Sequence, residues 1–322
     1  MIQSIAKPLT GVFVVVLLAW TLNAHAQQWP SHPMTLVVGF APGSISDILA
    51  RLIGQKLGES LGQTVIVDNR PGAGGNIATQ RVRVAAADGH MLLVTSSAYA
   101  VNPSLYANAG YDPIKDFTPV ILAASTPNLI TVHPSVPAKT LQELIELARK
   151  QPLAYASTGI GTTPHLSMER LKTTAKIEIT HVPFQPAQAV TSVLTGQTQV
   201  ASTAVTLPLP HIKAGKLRPI AVTGAQRSSI LADVPTVNEQ GFQDFNDLTW
   251  FGFFAPAGVR AELVGRLNTE INRIIEQPEV RQKLAQLGLD SRRNTAAEFA
   301  AFIKEEVPKW AQAVKVSGAK VD

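Results

Sequence analysis

Cysteine is absent from all 322 residues of this sequence, and charged and aromatic residues are scarce, at 16% and 6%. Without cysteine the chain can form no disulfide and carry no lipid-modified cysteine. No apolar run reaches the roughly 20 residues that a membrane-spanning helix needs. Hydrophobic residues nevertheless make up 45% of the chain, which predicts a folded protein with one large domain or two smaller ones.

The excess of positive over negative charge is also small. The formal net charge is +5 at pH 7, and no basic block or stripe with interleaved aromatic residues occurs. We therefore predict no nucleic-acid partner and only weak steering of anions towards the protein. The 7 histidines show neither H-x-x-x-H spacing nor clustering with carboxylates, so we predict no metal site and no cofactor.

The first 26 residues have the composition of a signal peptide. Lys7 precedes an apolar run over residues 11–20, and Ala24-His25-Ala26 fits the small-residue pattern of a cleavage site. An anchor helix is the weaker interpretation, because the run is short and flanked by Pro8 and Asn23. We expect cleavage after Ala26 and a soluble protein in the periplasm of a Gram-negative bacterium.

Strand-like and helix-like segments alternate from MTLVVGF at residue 34 to LRPIAVTG at residue 217, with PVILAAS and NLITVHP as separate strands. This alternation favours an α/β fold with parallel strands covered on both faces by helices. After residue 242 an extended aromatic segment precedes helices near residues 260–277, 278–287 and 295–316. We therefore predict two α/β lobes, 27–123 with 249–322 and 124–248, joined by two crossover strands with a ligand cleft between them.

Three junctions between a strand and a helix could line such a cleft. In GFAPGSISD, Pro42 and Gly43 form a turn and Ser44 or Ser46 can cap a helix, whose unpaired N–H groups and dipole favour an anion. An ordinary capped helix explains the same pattern. YASTGIGTTPHL is a second anion-friendly turn, and Pro164 excludes a dinucleotide loop there. For the third junction, DNRPGAGGNIA, we predict a structural role in which Asn76 caps the next helix.

These segments resemble the Bug family, the periplasmic receptors of tripartite tricarboxylate transporters. The resemblance begins with GFAPGSISDILARLIGQKLGESLGQTVIVDNRPGAGGNIATQRVRVAAADGHMLLV and continues, in the family's order, through YASTGIGTTPHL, HVPF, ILADVPTVNEQGF and FAPAGV. It covers residues 29–318. The resemblance implies a two-lobed fold like that of type II periplasmic binding proteins, which closes around a small organic acid and delivers it to the membrane subunits of a transporter. The receptor would be a monomer.

The resemblance also implies which residues bind the ligand. Members grip one carboxylate with backbone amides, hydroxyls and ordered waters rather than with arginine. Asp47 would organise the helix end, whereas His165 could either lock its loop or contact the ligand. Position by position, the family's ligand-binding residues fall here on Phe40, Ala41, Gly43, Ser44, Asp47, Ser96, Ser97, Ser157, Thr158, Gly161, Thr162, His165, Ser202 and Thr203.

The sequence departs from the family pattern at two places. Ser44 replaces the second glycine of a Pro-Gly-Gly turn, and Phe184-Gln185-Pro186-Ala187 replaces an aromatic-Lys-Gly segment, which removes a positive charge. Both departures leave the identity of the ligand open. Two other functions stay open as well. One is a receptor that signals to a membrane sensor kinase. The other is a hydrolase using Ser44 or Ser157 with His165, although no G-x-S-x-G elbow occurs.

Overall fold

The computed structural model describes residues 29–321, so the predicted signal peptide lies outside the described residues. Within that range, no helix combines the length and the apolar composition required to cross a membrane. Nine strands are described: β1 (Met34–Val38), β2 (Val65–Asn69), β3 (Met91–Ser96), β4 (Phe117–Val132), β5 (Ala154–Ser157), β6 (Thr180–Pro183), β7 (Val200–Ala204), β8 (Arg218–Val222) and β9 (Leu248–Pro256).

The helices follow the strands much as the sequence predicts, and the α/β fold class is confirmed. The three predicted C-terminal helices are present within two residues of their expected bounds. The helices of residues 29–321 are α1 (Ile45–Leu61), α2 (Asn76–Arg83), α3 (Ala98–Leu105), α4 (Leu141–Lys150), α5 (Thr163–Ala175), α6 (Pro186–Leu194), α7 (Leu209–Lys213), α8 (Ala261–Ile275), α9 (Pro278–Gln286) and α10 (Ala296–Ser317).

Hydrogen bonds join the strands side by side in the order β2-β1-β3-β9-β4-β7-β5-β6, and β8 also pairs with β4. The β1–β2, β1–β3, β5–β6 and β5–β7 pairs are parallel. Both β9 and β7 run antiparallel to β4. Parallel strands of this kind end at one edge of the sheet, where their loops meet.

Strand β4 differs from the sequence prediction, because PVILAAS and NLITVHP form one strand of 16 residues. The part up to Pro127 pairs with β9, and the part from Asn128 pairs with β7 and β8. Pro127 stands at the last pair with β9, where the ladder changes partners and a missing N–H is tolerated.

Apolar clusters cover the part of the sheet that contains the first half of β4 and the part that contains its second half. Strands β1, β3 and β9 bury one face against α1 and α8 and the other against α3 and α10. A separate cluster joins the second half of β4 to α4 and α5. The largest buried side chains include Trp250, Trp310 and Tyr99, each at most 1% exposed. Such burial fixes the strand ends and helix starts that surround the site.

Candidate functional site

A cavity of about 510 Å³ lies where helices α1, α3 and α5 begin. Eight of the predicted ligand-binding residues line it: Phe40, Gly43, Ser44, Ser96, Ser97, Thr158, Gly161 and Thr162. Strands β4 and β9 contribute Thr126, Thr249 and Phe251 to its wall. The structure thus brings together the first two predicted junctions and the end of β3.

The first loop ends in a capped helix. Gly43 has a φ of 82°, in the left-handed region that favours glycine, and Ser44 is the N-cap of α1. The Ser44 hydroxyl accepts a hydrogen bond from the Asp47 N–H at 3.3 Å. Within residues 29–321, no protein acceptor faces the N–H groups of Ile45 and Ser46. These two groups are free to donate to an anion at the helix start.

Asp47 organises this loop from behind the cavity wall. Its carboxylate accepts hydrogen bonds from the Gly43 N–H and the Asn69 amide, both at 2.9 Å, and forms an ion pair with Arg51 at 3.0 Å. Burial raises the pKa of Asp47, but the hydrogen bonds from Arg51, Gly43 and Asn69 outweigh it and lower the pKa below its ordinary value. The side chain therefore stays ionised. It does not line the cavity.

The second loop folds back on itself through hydroxyl groups. The Thr162 hydroxyl donates to the Gly159 carbonyl at 2.8 Å, and the Thr158 hydroxyl donates to that of Thr162 at 3.3 Å. Helix α5 then begins at Thr163, and Pro164 at its second position has no N–H to satisfy. In the described residues the Thr163 N–H has no acceptor. This is the second helix start that offers free donors to the cavity.

His165 holds the second loop and does not reach the cavity. Its Nδ1 accepts the Gly161 N–H at 3.0 Å, and its ring stacks on that of His181 with centroids 3.9 Å apart. Burial, with smaller contributions from the charges of His181 and Lys172, lowers the pKa of His165 to about 3. Of the two roles left open by the sequence, the geometry is that of the loop lock.

Ser157 is likewise part of this buried support. It is 0% exposed, and its hydroxyl is 2.7 Å from His181 Nε2 and 3.2 Å from the Gly159 N–H. Burial is also the main reason that the pKa of His181 is lowered to about 4. A buried serine that does not face the cavity cannot attack a bound substrate. Ser157 therefore cannot be the nucleophile of a hydrolase.

Three further predicted residues lie outside the cavity wall. Ala41 is exposed in the first loop, and its carbonyl accepts the Ser44 N–H at 3.1 Å. Ser202 and Thr203 are 0% exposed inside β7, which ends one residue later at Ala204. Ala204 and the following Thr206 and Leu207 line the cavity instead. Side chains alternate along a strand, so Thr203 points to the opposite face from Ala204, whereas Ser202 shares the face of Ala204 but lies deeper in the strand.

The third junction has a role that the sequence only partly predicts. Gly75, not Asn76, is the N-cap of α2, and Asn76 is 2% exposed. The Asn76 side chain accepts a hydrogen bond from the Asn102 amide at 2.7 Å, which also donates to the Gly74 carbonyl at 3.0 Å. Gly74 and Asn102 both line the cavity, so this junction forms part of its wall.

One group of possible metal ligands lies away from the cavity. Among residues 29–321, only His32, Asp88 and His90 bring three ligand atoms within 4.8 Å of one another. The two imidazole rings are stacked, with centroids 3.7 Å apart and planes at 17°. Nitrogen lone pairs lie in the ring planes, so stacked rings do not direct them at one ion. This group carries no metal-site proposal.

The fold and the cavity define a solute-binding receptor of the periplasmic-binding-protein type. Residues 49–318 match the family described as tripartite tricarboxylate transporter family receptor. The chain belongs to this family, whose members are periplasmic receptors and not enzymes. The resemblance seen in the sequence and the prediction that the chain is not an enzyme are thereby confirmed.

Three relatives illustrate the similarity. Protein BugT of Bordetella pertussis is 33% identical over 303 residues, which cover 92% of this chain and 92% of BugT. The structure of R. palustris Rpa4515 with adipate is 35% identical with a TM-score of 0.77 and covers 91% of this chain and 100% of that one. The structure of MatC from Rhodopseudomonas palustris with bound malate is 32% identical with a TM-score of 0.73. The match covers 89% of this chain and 100% of that one.

Proposed function

We propose that the cavity captures a small organic acid by its carboxylate and that the receptor delivers this acid to the membrane subunits of a tripartite tricarboxylate-type transporter. The observation that carries the proposal is the meeting of helix starts with free N–H groups at one cavity. The free donors of residues that line the cavity belong to Ile45 and Thr163. Such groups, together with the helix dipoles, stabilise a negative charge.

Hydroxyl groups complete this anion site. Ser44, Ser96 and Thr158 are half-buried and line the cavity near the helix starts. They can donate to a carboxylate directly or through a bridging water, which costs about 0–2 kcal/mol in entropy. The two relatives with adipate and with malate support a carboxylate as the group recognised. The binding roles of the predicted residues belong to this proposal.

Export and closure are further parts of the proposal. The chain would enter the periplasm as a precursor, lose residues 1–26 after Ala26, and act as a monomer. Its lobes, 27–123 with 249–322 and 124–248, would close about the crossover strands β4 and β9. Gly161 already meets Leu105 across the cavity, and Gly288 meets Thr206, which supports a closed arrangement.

A thermal-shift screen of residues 27–322 against organic acids and their methyl esters tests the proposal. A ligand at a 100-fold excess over its dissociation constant stabilises the protein by about 2.7 kcal/mol. We expect acids to raise the melting temperature and their esters to have little effect, because an ester lacks the charge that the helix starts favour. Equal stabilisation by an acid and its ester would contradict carboxylate capture.

A matched pair of variants sharpens this test. Thr158→Asp places a carboxylate at the second loop, where it repels a bound anion, whereas Thr158→Asn has nearly the same shape without the charge. We expect Asp to weaken binding of the acid roughly tenfold or more and Asn to weaken it far less, a difference of about 1.4 kcal/mol per factor of ten. Equal affinities of the two variants in calorimetry would remove the second loop from the anion site.

A further inference from the structure

The cavity wall contains no charged side chain among the residues that the structure describes. Neither arginine, lysine nor histidine lines it, and neither aspartate nor glutamate does. The helix starts and hydroxyl groups described above occupy one part of the wall. Much of the remainder is formed by six apolar or largely apolar side chains, called here the apolar wall: Leu105, Tyr106, Ile160, Leu207, Leu287 and Leu289.

Packing holds the apolar wall in place. Leu105 and Leu289 are 6% and 4% exposed and belong to the hydrophobic core. The segment of Leu287 and Leu289 runs against the loop after β7, since a Cβ built on Gly288 would lie 2.2 Å from Thr206 Cγ2. These leucines are therefore fixed parts of the cavity and not surface side chains that happen to point inward.

The segment that departs from the family pattern meets the same cavity. Pro186, the first residue of α6, lines it and has no N–H to donate. No charged side chain of this segment lines the cavity. A second carboxylate placed against the apolar wall would lose water, and five of the six side chains of that wall have no hydrogen-bond donor to replace it. A hydrocarbon or aromatic group there would instead bury its surface favourably.

We infer that the ligand is a monocarboxylic acid with an apolar body. Its carboxylate lies at the starts of α1 and α5, and its body contacts the apolar wall. This inference rests on the proposed capture of a carboxylate and narrows it. It separates this receptor from the two relatives whose structures contain dicarboxylates, adipate and malate.

Calorimetry with hexanoate, adipate, hexanamide and 3-phenylpropanoate tests the inference on protein freed of co-purified ligand. Hexanoate and adipate have the same chain length but one and two carboxylates, and hexanamide has none. We expect hexanoate or 3-phenylpropanoate to bind at least roughly tenfold more tightly than adipate. Tighter binding of adipate, or no binding of either monocarboxylate, would overturn the inference. If hexanamide binds as tightly as hexanoate, the proposed capture of a carboxylate fails instead.

The variant Ile160→Lys tests whether the apolar wall sets this preference. Ile160 is 46% exposed at the cavity, so the substitution adds an ammonium group without disturbing the core. We expect the ratio of hexanoate to adipate affinity to fall roughly tenfold, because the new charge pairs with the second carboxylate. The control Ile66→Lys alters an isoleucine that is 50% exposed on edge strand β2, outside the cavity, and leaves the ratio unchanged. An unchanged ratio in Ile160→Lys would overturn the inference.

Discussion

The two loops at the cavity share one hydrogen-bond geometry but use different acceptors. In the first loop, the N–H of Gly43 donates to the carboxylate of Asp47 at 2.9 Å; in the second, the N–H of Gly161 donates to Nδ1 of His165 at 3.0 Å. Both glycines have positive φ values, 82° and 74°, and both acceptors stand four residues further on, in the first turn of a helix. The turn requires an acceptor at this position, and either a carboxylate or an imidazole supplies it.

The surroundings explain which acceptor each loop uses. Asp47 has Arg51 as an ion-pair partner, and the Arg51 side chain is 55% exposed, so the charge is balanced and partly solvated. His165 is 4% exposed and stacked on His181 in the interior. A neutral ring provides the acceptor there without burying a charge, which would be costly. Asp47 and His165 are equally buried, at 3% and 4% exposed, so the first loop is held by a charged, ion-paired network and the second by a neutral one.

The loops also differ in how closely they are packed. A Cβ built on Gly161 would lie 2.2 Å from Leu105 Cδ2, whereas one built on Gly43 meets no atom within 4 Å. Gly161 is therefore required both for its backbone conformation and for the close approach of α3. Gly43 is required for its conformation alone.

The largest effect is expected when this difference in packing is broken. Gly161→Ala should lower the free energy of unfolding by about 2–5 kcal/mol, because about 1–2 kcal/mol of left-handed backbone strain adds to about 1–3 kcal/mol of overpacking against Leu105. Gly43→Ala should lower it by about 1–2 kcal/mol, from the backbone alone. Urea unfolding of each variant without ligand measures both values.

Gly196→Ala is the matched control for the backbone contribution. Gly196 has a φ of 75°, close to that of Gly161, and a Cβ at Gly196 would meet no atom within 4 Å. It should lose as much stability as Gly43→Ala. If Gly161→Ala loses no more than this control, the close contact with Leu105 is not part of the folded protein in solution.

Features that depend on neighbouring residues could be predicted from the sequence. The turn at Pro42 and Gly43, the cap at Ser44 and the helix start near Thr163 are local, so their residue types reveal them. The role of Asp47 as a helix-end organiser follows from the family resemblance. The fold class follows from the alternation of strands and helices over the whole chain.

Features that depend on distant contacts could not be predicted in this way. Leu287 and Leu289 reach the cavity only because their segment packs against Thr206, and no local signal marks this contact. The choice between the two roles of His165 depends on the position of Gly161 and on stacking against His181. Whether Ser202 lines the cavity depends on where β7 ends. The ends of strands predicted from sequence are uncertain by more than one residue.

A smaller effect is expected when the charged network of the first loop is changed. Asp47→Asn keeps one acceptor oxygen but cannot serve Gly43, Asn69 and Arg51 together. We expect the free energy of unfolding to fall by about 2 kcal/mol, because a buried donor loses its charged acceptor. Urea unfolding near neutral pH measures this loss.

The control Asp68→Asn removes a carboxylate from an exposed ion pair with Arg70, whose side chain is 57% exposed. Pairs of this kind contribute about 0–1 kcal/mol. If Asp47→Asn and Asp68→Asn cost the same, the hydrogen bonds of Asp47 to the loop contribute nothing beyond an ordinary surface ion pair.

The most specific effect is a difference in pH dependence. The folded protein lowers the pKa of His165 to about 3, whereas an unfolded chain holds histidine near its ordinary value of about 6.5. Below that ordinary value the unfolded state binds more protons, so stability is fully present above about pH 6.5 and falls by up to roughly 1.4 kcal/mol per pH unit as the pH drops towards the folded pKa.

Two substitutions of His165 separate its titration from its hydrogen bond. His165→Asn and His165→Leu both remove one proton-binding group, so both should reduce the dependence of stability on pH between about pH 7 and about pH 5, while His181, whose pKa is lowered to about 4, keeps its own contribution. Only Asn keeps an oxygen near the place of Nδ1 to accept the Gly161 N–H, so only Leu should also weaken binding of the acid at neutral pH. Urea unfolding at several pH values and calorimetry measure the two effects. An unaltered pH slope in both variants would show that His165 does not carry the acid sensitivity, and equal affinities would show that the second loop keeps its shape without this hydrogen bond.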